Sequence, residues 1–297
     1  MSLSIALRMG RVSNLPTVWS NVLAGMVLAG GALDRRLIPA GLSLSLFYIA
    51  GMYLNDAFDR GIDRIERPAR PIPAGEISAA AVFAAGFAML ASGLMLLAWM
   101  GFAAADGTSW RAAGGPSWPA PAAGAVLAAA IILYDVHHKG NPLSPVLMGV
   151  CRVLVYLTAG LLIACPLPPR LLAGAAVALC YLIGLTYVAK QETLRRVEKL
   201  WPLVFLAVPF LYFLPIAATG IAGLILYALF LAAVLYALGF LVLPERINVP
   251  RAVVSLIAGI SLLDALLIAG HGRADLAWIA VGAFLLTVLL QRFVPGT

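Results

Sequence analysis

Charge is scarce in this chain. Asp, Glu, Lys and Arg make up 11% of its 297 residues, while 63% are hydrophobic, and the mean hydropathy is +0.99. A soluble globular domain is excluded by that balance, and the long apolar runs read as membrane spans. Alternating short segments are also missing, which excludes an outer-membrane barrel: "ISAAAVFAAGFAMLASGLMLLAWMGF" at 77–102 is apolar without interruption. Cysteine is rare. Cys151, Cys165 and Cys180 lie in or beside apolar spans without C-x-x-C spacing, so they read as inert thiols and not as a disulfide framework or metal site. The first 25 residues have no basic stretch followed by an apolar run and a small-residue cleavage site, so the first span is expected to be retained. No basic domain stands outside the apolar spans, so the net charge of +7 does not point to nucleic acid.

With about 20 apolar residues per span as the ruler, candidate helices fall near 13–33, 38–54, 78–102, 120–135, 143–165, 169–189, 200–219, 221–243, 251–270 and 274–292. Short separators late in the chain leave nine or ten. The expected fold is therefore all-α, a polytopic membrane bundle forming a single unit over 1–297. Pro209 and Pro215 are expected to kink the seventh span. Fourteen of the 20 Lys and Arg residues would fall on the side of the N-terminus, and Arg35, Arg36, Arg111, Arg170 and Arg273 on the other. The positive-inside rule makes the first side cytoplasmic, as in a bacterial-type inner membrane. On the opposite side, 103–119 reads as a covering loop with Trp110 and Trp118 at the interface.

The little charge present is concentrated. "YLNDAFDRGIDRIERPARPIPAG" (53–75) holds Asp56, Asp59, Asp63 and Glu66 together with Arg60, Arg64, Arg67 and Arg70. On a helix, positions i, i+3 and i+7 fall within about 60° of one another, which puts Asp56, Asp59 and Asp63 on one stripe with Asn55 beside them. Carboxylates so arranged repel unless a cation lies between them, and hard oxygen ligands suit Mg²⁺ completed by phosphate oxygens. Arg67 and Arg70 stand among prolines on a stiff, non-helical segment, a setting suited to bidentate phosphate binding. Acids for a metal and arginines for phosphate at a membrane face point to a diphosphate with a lipid tail. The bland reading, charge placed only by topology, accounts for the arginines but not for the acids.

"NDAFDRGID" followed by "RPIPAG" resembles the first signature of the UbiA superfamily of intramembrane prenyltransferases. The resemblance implies about nine helices around a central cavity opening to cytoplasm and lipid, with Mg²⁺ bridging a prenyl diphosphate to the acids. It implies active-site loops after the second, fourth and sixth spans. The family's second signature, D-x-x-x-D, is only half present in "TYVAKQETLRRVEKLWP" (186–202): Glu192 matches the first acid and Arg196 stands at the second. Either a base holds the diphosphate where relatives place a second metal, with Lys190 as the ligand, or catalysis is altered. In the loop after span four, Tyr134 and Lys139 carry over, and Asp135 reads as an acceptor-side base. His137 and His138 are adjacent and point about 100° apart on a helix, which argues against a metal pair.

Four further features stand apart from the signatures. Arg152, inside span five, is expected to face the cavity, because an unpaired intramembrane arginine is costly. Asp264, in span nine, is expected to pair with a neighbour. Tyr53, Tyr134 and Tyr187 precede the three loops and form either an aromatic belt or inward faces that steady an allylic cation. Asn14 and Asn21 share one helical face, so Asn21 lines the pocket or packs against another helix.

The leading expectation is a Mg²⁺-dependent prenyltransferase that ionises a prenyl diphosphate and alkylates a hydrophobic acceptor within membrane lipid. Asp56, Asp59, Asp63 and Glu192 would hold the metal, and Asn55, Arg67, Arg70, Lys139 and Lys190 the diphosphate. A membrane terpene cyclase shares the same first step. A transporter or lipid-binding protein is the third alternative, although its coupling charges belong near mid-membrane.

Overall fold

A computed structural model describes residues 2–31, 33, 35–102, 118–190, 201–243, 245 and 247–296. Eleven α-helices and no strands occur among them: α1 Leu3–Met9, α2 Leu15–Leu28, α3 Leu37–Glu66, α4 Ala79–Phe102, α5 Pro119–His137, α6 Ser144–Leu161, α7 Pro169–Lys190, α8 Val204–Phe213, α9 Ile221–Val242, α10 Val249–Gly270 and α11 Ala274–Leu290. Seven of them (α3–α7, α9 and α10) are long and apolar enough to cross a membrane, and the apolar α8 and α11 are shorter. The ten helices from α2 to α11 fall in the ten segments expected from hydropathy, in an integral membrane protein.

Proline marks where the helices begin. Pro16, Pro119, Pro145, Pro169 and Pro250 each stand in a first turn, where the missing N–H has no helical partner to lose. Pro209 sits inside α8, which tightens to a 3-10 turn from Leu214 onward, beside Pro215. The helix α3 is the exception in length. At 30 residues it runs about 45 Å, beyond a hydrocarbon core of about 30 Å. Its apolar part spans, and its last turns carry the acids past the apolar zone. Arg67 ends it, its N–H bonded to Asp63 O at 2.9 Å, immediately before Pro68.

Two hydrophobic clusters fill the bundle. One joins residues of α2, α6, α7, α8, α9, α10 and α11; the other joins α2, α3, α4, α5 and α6. The helices α2 and α6 belong to both and form the seam. The apolar windows of α10 and α7 are 78% and 67% buried, against 28% for α4 and α9, so α4 and α9 turn most of their surface to lipid. The seam needs a small residue. A Cβ on Gly25 of α2 would lie 2.5 Å from Tyr156 O and 3.1 Å from Ala159 Cβ, both on α6.

Gly25→Ala is therefore expected to destabilise the bundle by about 1–3 kcal/mol through overpacking. Gly61→Ala, with nothing within 4 Å of the new atom, is expected to be neutral or stabilising by up to about 1 kcal/mol. Unfolding midpoints in detergent check the pair, and equal midpoints would contradict the seam.

Candidate active site

The last turns of α3 turn one acidic face inward. Asn55, Asp56, Asp59 and Asp63 are all buried, Asp63 to within 1%, which is costly for carboxylates unless each finds a cation. Each does. Arg70, on the proline-bounded segment after α3, donates to Asp63 Oδ2 at 2.7 Å and to Asp56 Oδ1 at 3.1 Å. Arg11 reaches Asp56 Oδ1 at 3.5 Å. His138 Nε2 and Lys139 Nζ stand 3.3 and 3.5 Å from Asp59 Oδ2. The histidine pair splits as helical geometry requires: His138 faces Asp59, while His137 is exposed beside Leu133 O.

These side chains surround a cavity of about 280 Å³ where α3, α5 and α7 end and α6 and α10 begin. Helices joined in sequence thus alternate in direction, and their loops meet at one face. Arg11, Arg67, Arg70, Lys139, Arg152 and Lys190 line the cavity together with Asn55, Asp59, Tyr134 and His138. Arg67 has no ion-pair partner among the described residues. Lys190 Nζ is held by Asn141 O at 2.6 Å and Ser144 Oγ at 3.0 Å, which fixes the end of α7 to the start of α6. Six cations and one acid line the cavity, with Asp56 and Asp63 held by Arg11 and Arg70, a setting that suits an anion.

A second cavity of about 90 Å³ opens between α2, α3, α5 and α6, walled by Val18, Leu44, Phe47, Leu127, Ile131 and Val155. Tyr48, Met52, Tyr134, Met148 and Arg152 line both cavities, so the apolar chamber adjoins the cationic one. Asp135 reaches the apolar chamber. Its Oδ1 accepts from Asn55 Nδ2 at 3.3 Å, while its buried Oδ2 has no partner. An unpartnered carboxylate oxygen at the wall of an apolar chamber is costly and leaves an acceptor for a bound molecule's proton.

Among the described residues, no three or more His, Cys, Asp or Glu side chains converge closely enough to hold a metal ion alone. Glu192, with Arg195, Arg196 and Lys199, lies outside the described residues. The α3 acids still fit one kind of ion. Magnesium takes one or two protein carboxylates and fills its octahedron with water and phosphate oxygens, and Asp56, Asp59 and Asp63 offer hard oxygens on one helix face at the cavity edge.

The remaining residues divide. Arg152, expected to face the cavity, does so, with its guanidinium 5.8 Å from the Tyr48 ring centre. Its Nη1 donates to Asn21 Oδ1 at 2.9 Å, and Asn21 Nδ2 donates to Asp264 Oδ2 at 2.7 Å. Tyr156 and Ser20 donate to Asp264 at 2.5 Å each. Asn21 is thus a fully buried link behind the chamber and not part of its wall. Tyr53 packs with Met9, Ala57 and Val82, its hydroxyl donating to Ala6 O, and Tyr187 packs against Trp201 with the rings tilted by 58°; neither lines a cavity described above. Arg11 and His138 are the site residues that sequence reasoning missed. Arg11 carries a left-handed φ of +43° between α1 and the 3-10 turn before α2, and no sequence pattern announces it. His138 was signalled only by its neighbour Lys139.

The fold and site together define a polytopic membrane bundle whose cationic cavity adjoins an apolar chamber. No family model matches the chain. It is 35% identical over 96 residues to the digeranylgeranylglyceryl phosphate synthase of Methanoculleus marisnigri, covering 32% of this chain and 34% of that protein. It is 39% identical over 80 residues to the synthase of the same name from Korarchaeum cryptofilum, covering 27% and 28%. The matched stretches span about a third of the length of these relatives. Two solved structures share the fold along most of their length. A UbiA homologue from Aeropyrum pernix superposes with a TM-score of 0.63 at 15% identity, over 88% of this chain and 97% of that one. A digeranylgeranylglyceryl phosphate synthase structure gives 0.59 at 20%, over 91% and 98%. The solved structures show that the chain shares their fold, and the sequence matches show a stretch similar to those synthases.

The Asp264 cluster makes a prediction that does not depend on activity. Tyr156→Phe removes a donor from a fully buried carboxylate and is expected to cost about 1–3 kcal/mol. Thr158→Val, at an equally buried site whose hydroxyl has no partner, is expected to be neutral or stabilising. Unfolding midpoints of the two variants check both signs.

Proposed function

We propose that this protein is a Mg²⁺-dependent intramembrane prenyltransferase, which ionises a prenyl diphosphate and transfers the prenyl group to a hydrophobic acceptor at the cytoplasmic face. The observation that carries this reading is the junction of a six-cation cavity, lined by Asp59 with Asp56 and Asp63 held by its Arg11 and Arg70, with an apolar chamber. One end suits a diphosphate and the other a prenyl chain or acceptor. The names of the relatives make geranylgeranyl diphosphate and a lipid-like acceptor the first substrates to test.

Asp56, Asp59 and Asp63 would hold Mg²⁺, with Glu192 assisting, and the ion would supply charge that stabilises the departing pyrophosphate. Arg70, Arg11, His138 and Lys139 stand against the same acids. These side chains also line the cavity and would meet the diphosphate together with Arg67 and Lys190. Asn55 orients Asp135 through its amide while standing beside the acids. The allylic C–O bond breaks with its electron pair on the leaving pyrophosphate, and the basic residues hold that charge. The acceptor's heteroatom then forms the new bond to the prenyl carbon, and its proton passes to Asp135 Oδ2. Tyr134, which lines both cavities, presents its ring to the region where positive charge develops.

The unpartnered Asp135 oxygen favours transfer to a protic acceptor over cyclisation of the chain. Pyrophosphate release by the purified protein in detergent tests the ionisation, with prenyl diphosphates of several lengths, with and without Mg²⁺. Asp59→Asn is expected to lower Mg²⁺-dependent release by about 100-fold or more; full turnover in that variant would refute the assignment. Asp135→Asn is expected to retain release but to lower prenylated product by about 100-fold in the presence of acceptor. A single cyclised hydrocarbon formed without acceptor would instead favour the cyclase.

A further inference from the structure

The opposite end of the bundle holds a cavity that the proposed chemistry does not use. It has a volume of about 220 Å³ and lies where α2, α8 and α10 end and α7 begins. Leu28, Phe213, Ile216 and Leu267 form its apolar wall, and Arg170 and His271 its polar one. Tyr212 stands at the edge, half exposed, as aromatic side chains do at a membrane interface.

Arg170 is held in an unusual setting. It lies in the first turn of α7, the positive end of the helix dipole, where a cation is disfavoured. Its Nε donates to Leu28 O, an end carbonyl of α2, at 2.9 Å, which aims the rest of the guanidinium at the cavity. Gly30, with φ of +97°, lets the Nη2 group approach the turn: a Cβ there would lie 3.2 Å from it. No carboxylate pairs with Arg170 among the described residues. The nearby Arg273 is different, since Asp275 accepts two hydrogen bonds from it at 2.9 and 2.8 Å. His271 is pushed below its ordinary pKa by burial first, then by Arg170 and Arg273, so positive potential reaches into the cavity.

A fixed guanidinium with open donors and no counter-charge, above apolar walls, has the chemistry of a phosphate site with room for an acyl chain. We propose that this cavity binds the phosphate of an anionic membrane lipid in the leaflet opposite the active site. Free phosphate offers the same head group without the tail, and the walls of Leu28, Phe213, Ile216 and Leu267 favour the lipid.

The test uses the full chain in a phosphate-free maltoside detergent and reads the unfolding midpoint as each probe is added. Phosphatidylglycerol is expected to raise the midpoint by about 3 °C or more, and diacylglycerol, which lacks the phosphate, to leave it unchanged. Arg170→Gln is expected to abolish the phosphatidylglycerol increment over its own baseline, while Arg64→Gln, exposed on the other face, keeps it. Should Arg170→Gln fail to fold for want of its bond to Leu28, His271→Glu puts a negative charge into the cavity without touching that bond and is expected to abolish the increment as well. Equal stabilisation by inorganic phosphate would keep the anion site and overturn the lipid as its occupant. An increment that survives both variants, or none in the unmodified protein, would overturn the site.

Discussion

Three carboxylates on one face of one helix, buried at a membrane surface, are the constraint on which the rest of the active face depends. Repulsion among Asp56, Asp59 and Asp63 has to be offset, and the structure does it with bases drawn from three separate segments. Arg70 comes from the turn after α3, Arg11 from the turn before α2, and His138 with Lys139 from the end of α5. Gathering these segments around α3 is also what forms the cavity. The bases that offset the acids also line the cavity, so one set of side chains both stabilises the acids and sets the charge of the site.

Much of this was legible in the sequence. The i, i+3, i+7 spacing placed the acids on one face, and the prolines after Glu66 foretold where α3 stops and the arginine-bearing turns begin. The hydropathy ruler located α2 to α11 but not the short α1, and it misjudged lengths. The expected span 38–54 is the apolar part of a helix that continues to Glu66, because charged turns outside the bilayer can stay helical. The span expected at 13–33 shortens to Leu15–Leu28, since Gly30 leaves the helical region with φ of +97°.

What the sequence hid was contact between distant segments. Arg152 and Asp264 stood out as unusual intramembrane charges, yet nothing in their own neighbourhoods shows that Asn21, on a third helix, links them. Arg11 looked like any juxtamembrane arginine, and its approach to Asp56 depends on a left-handed turn. The tyrosines before the three loops looked equivalent. Only Tyr134 reaches the cavities, because Tyr53 turns toward α1 and α4 and Tyr187 toward Trp201. Faces and loop paths, set by tertiary contacts, decide such cases.

The central claim is that the α3 acids would hold a metal beside the bound diphosphate. Calorimetric binding of a non-ionisable geranylgeranyl thiolodiphosphate, with and without Mg²⁺, tests it most directly. The account predicts at least about tenfold tighter binding with Mg²⁺, a difference of about 1.4 kcal/mol, and loss of that difference in Asp56→Asn/Asp63→Asn. Equal affinity with and without the metal would contradict it.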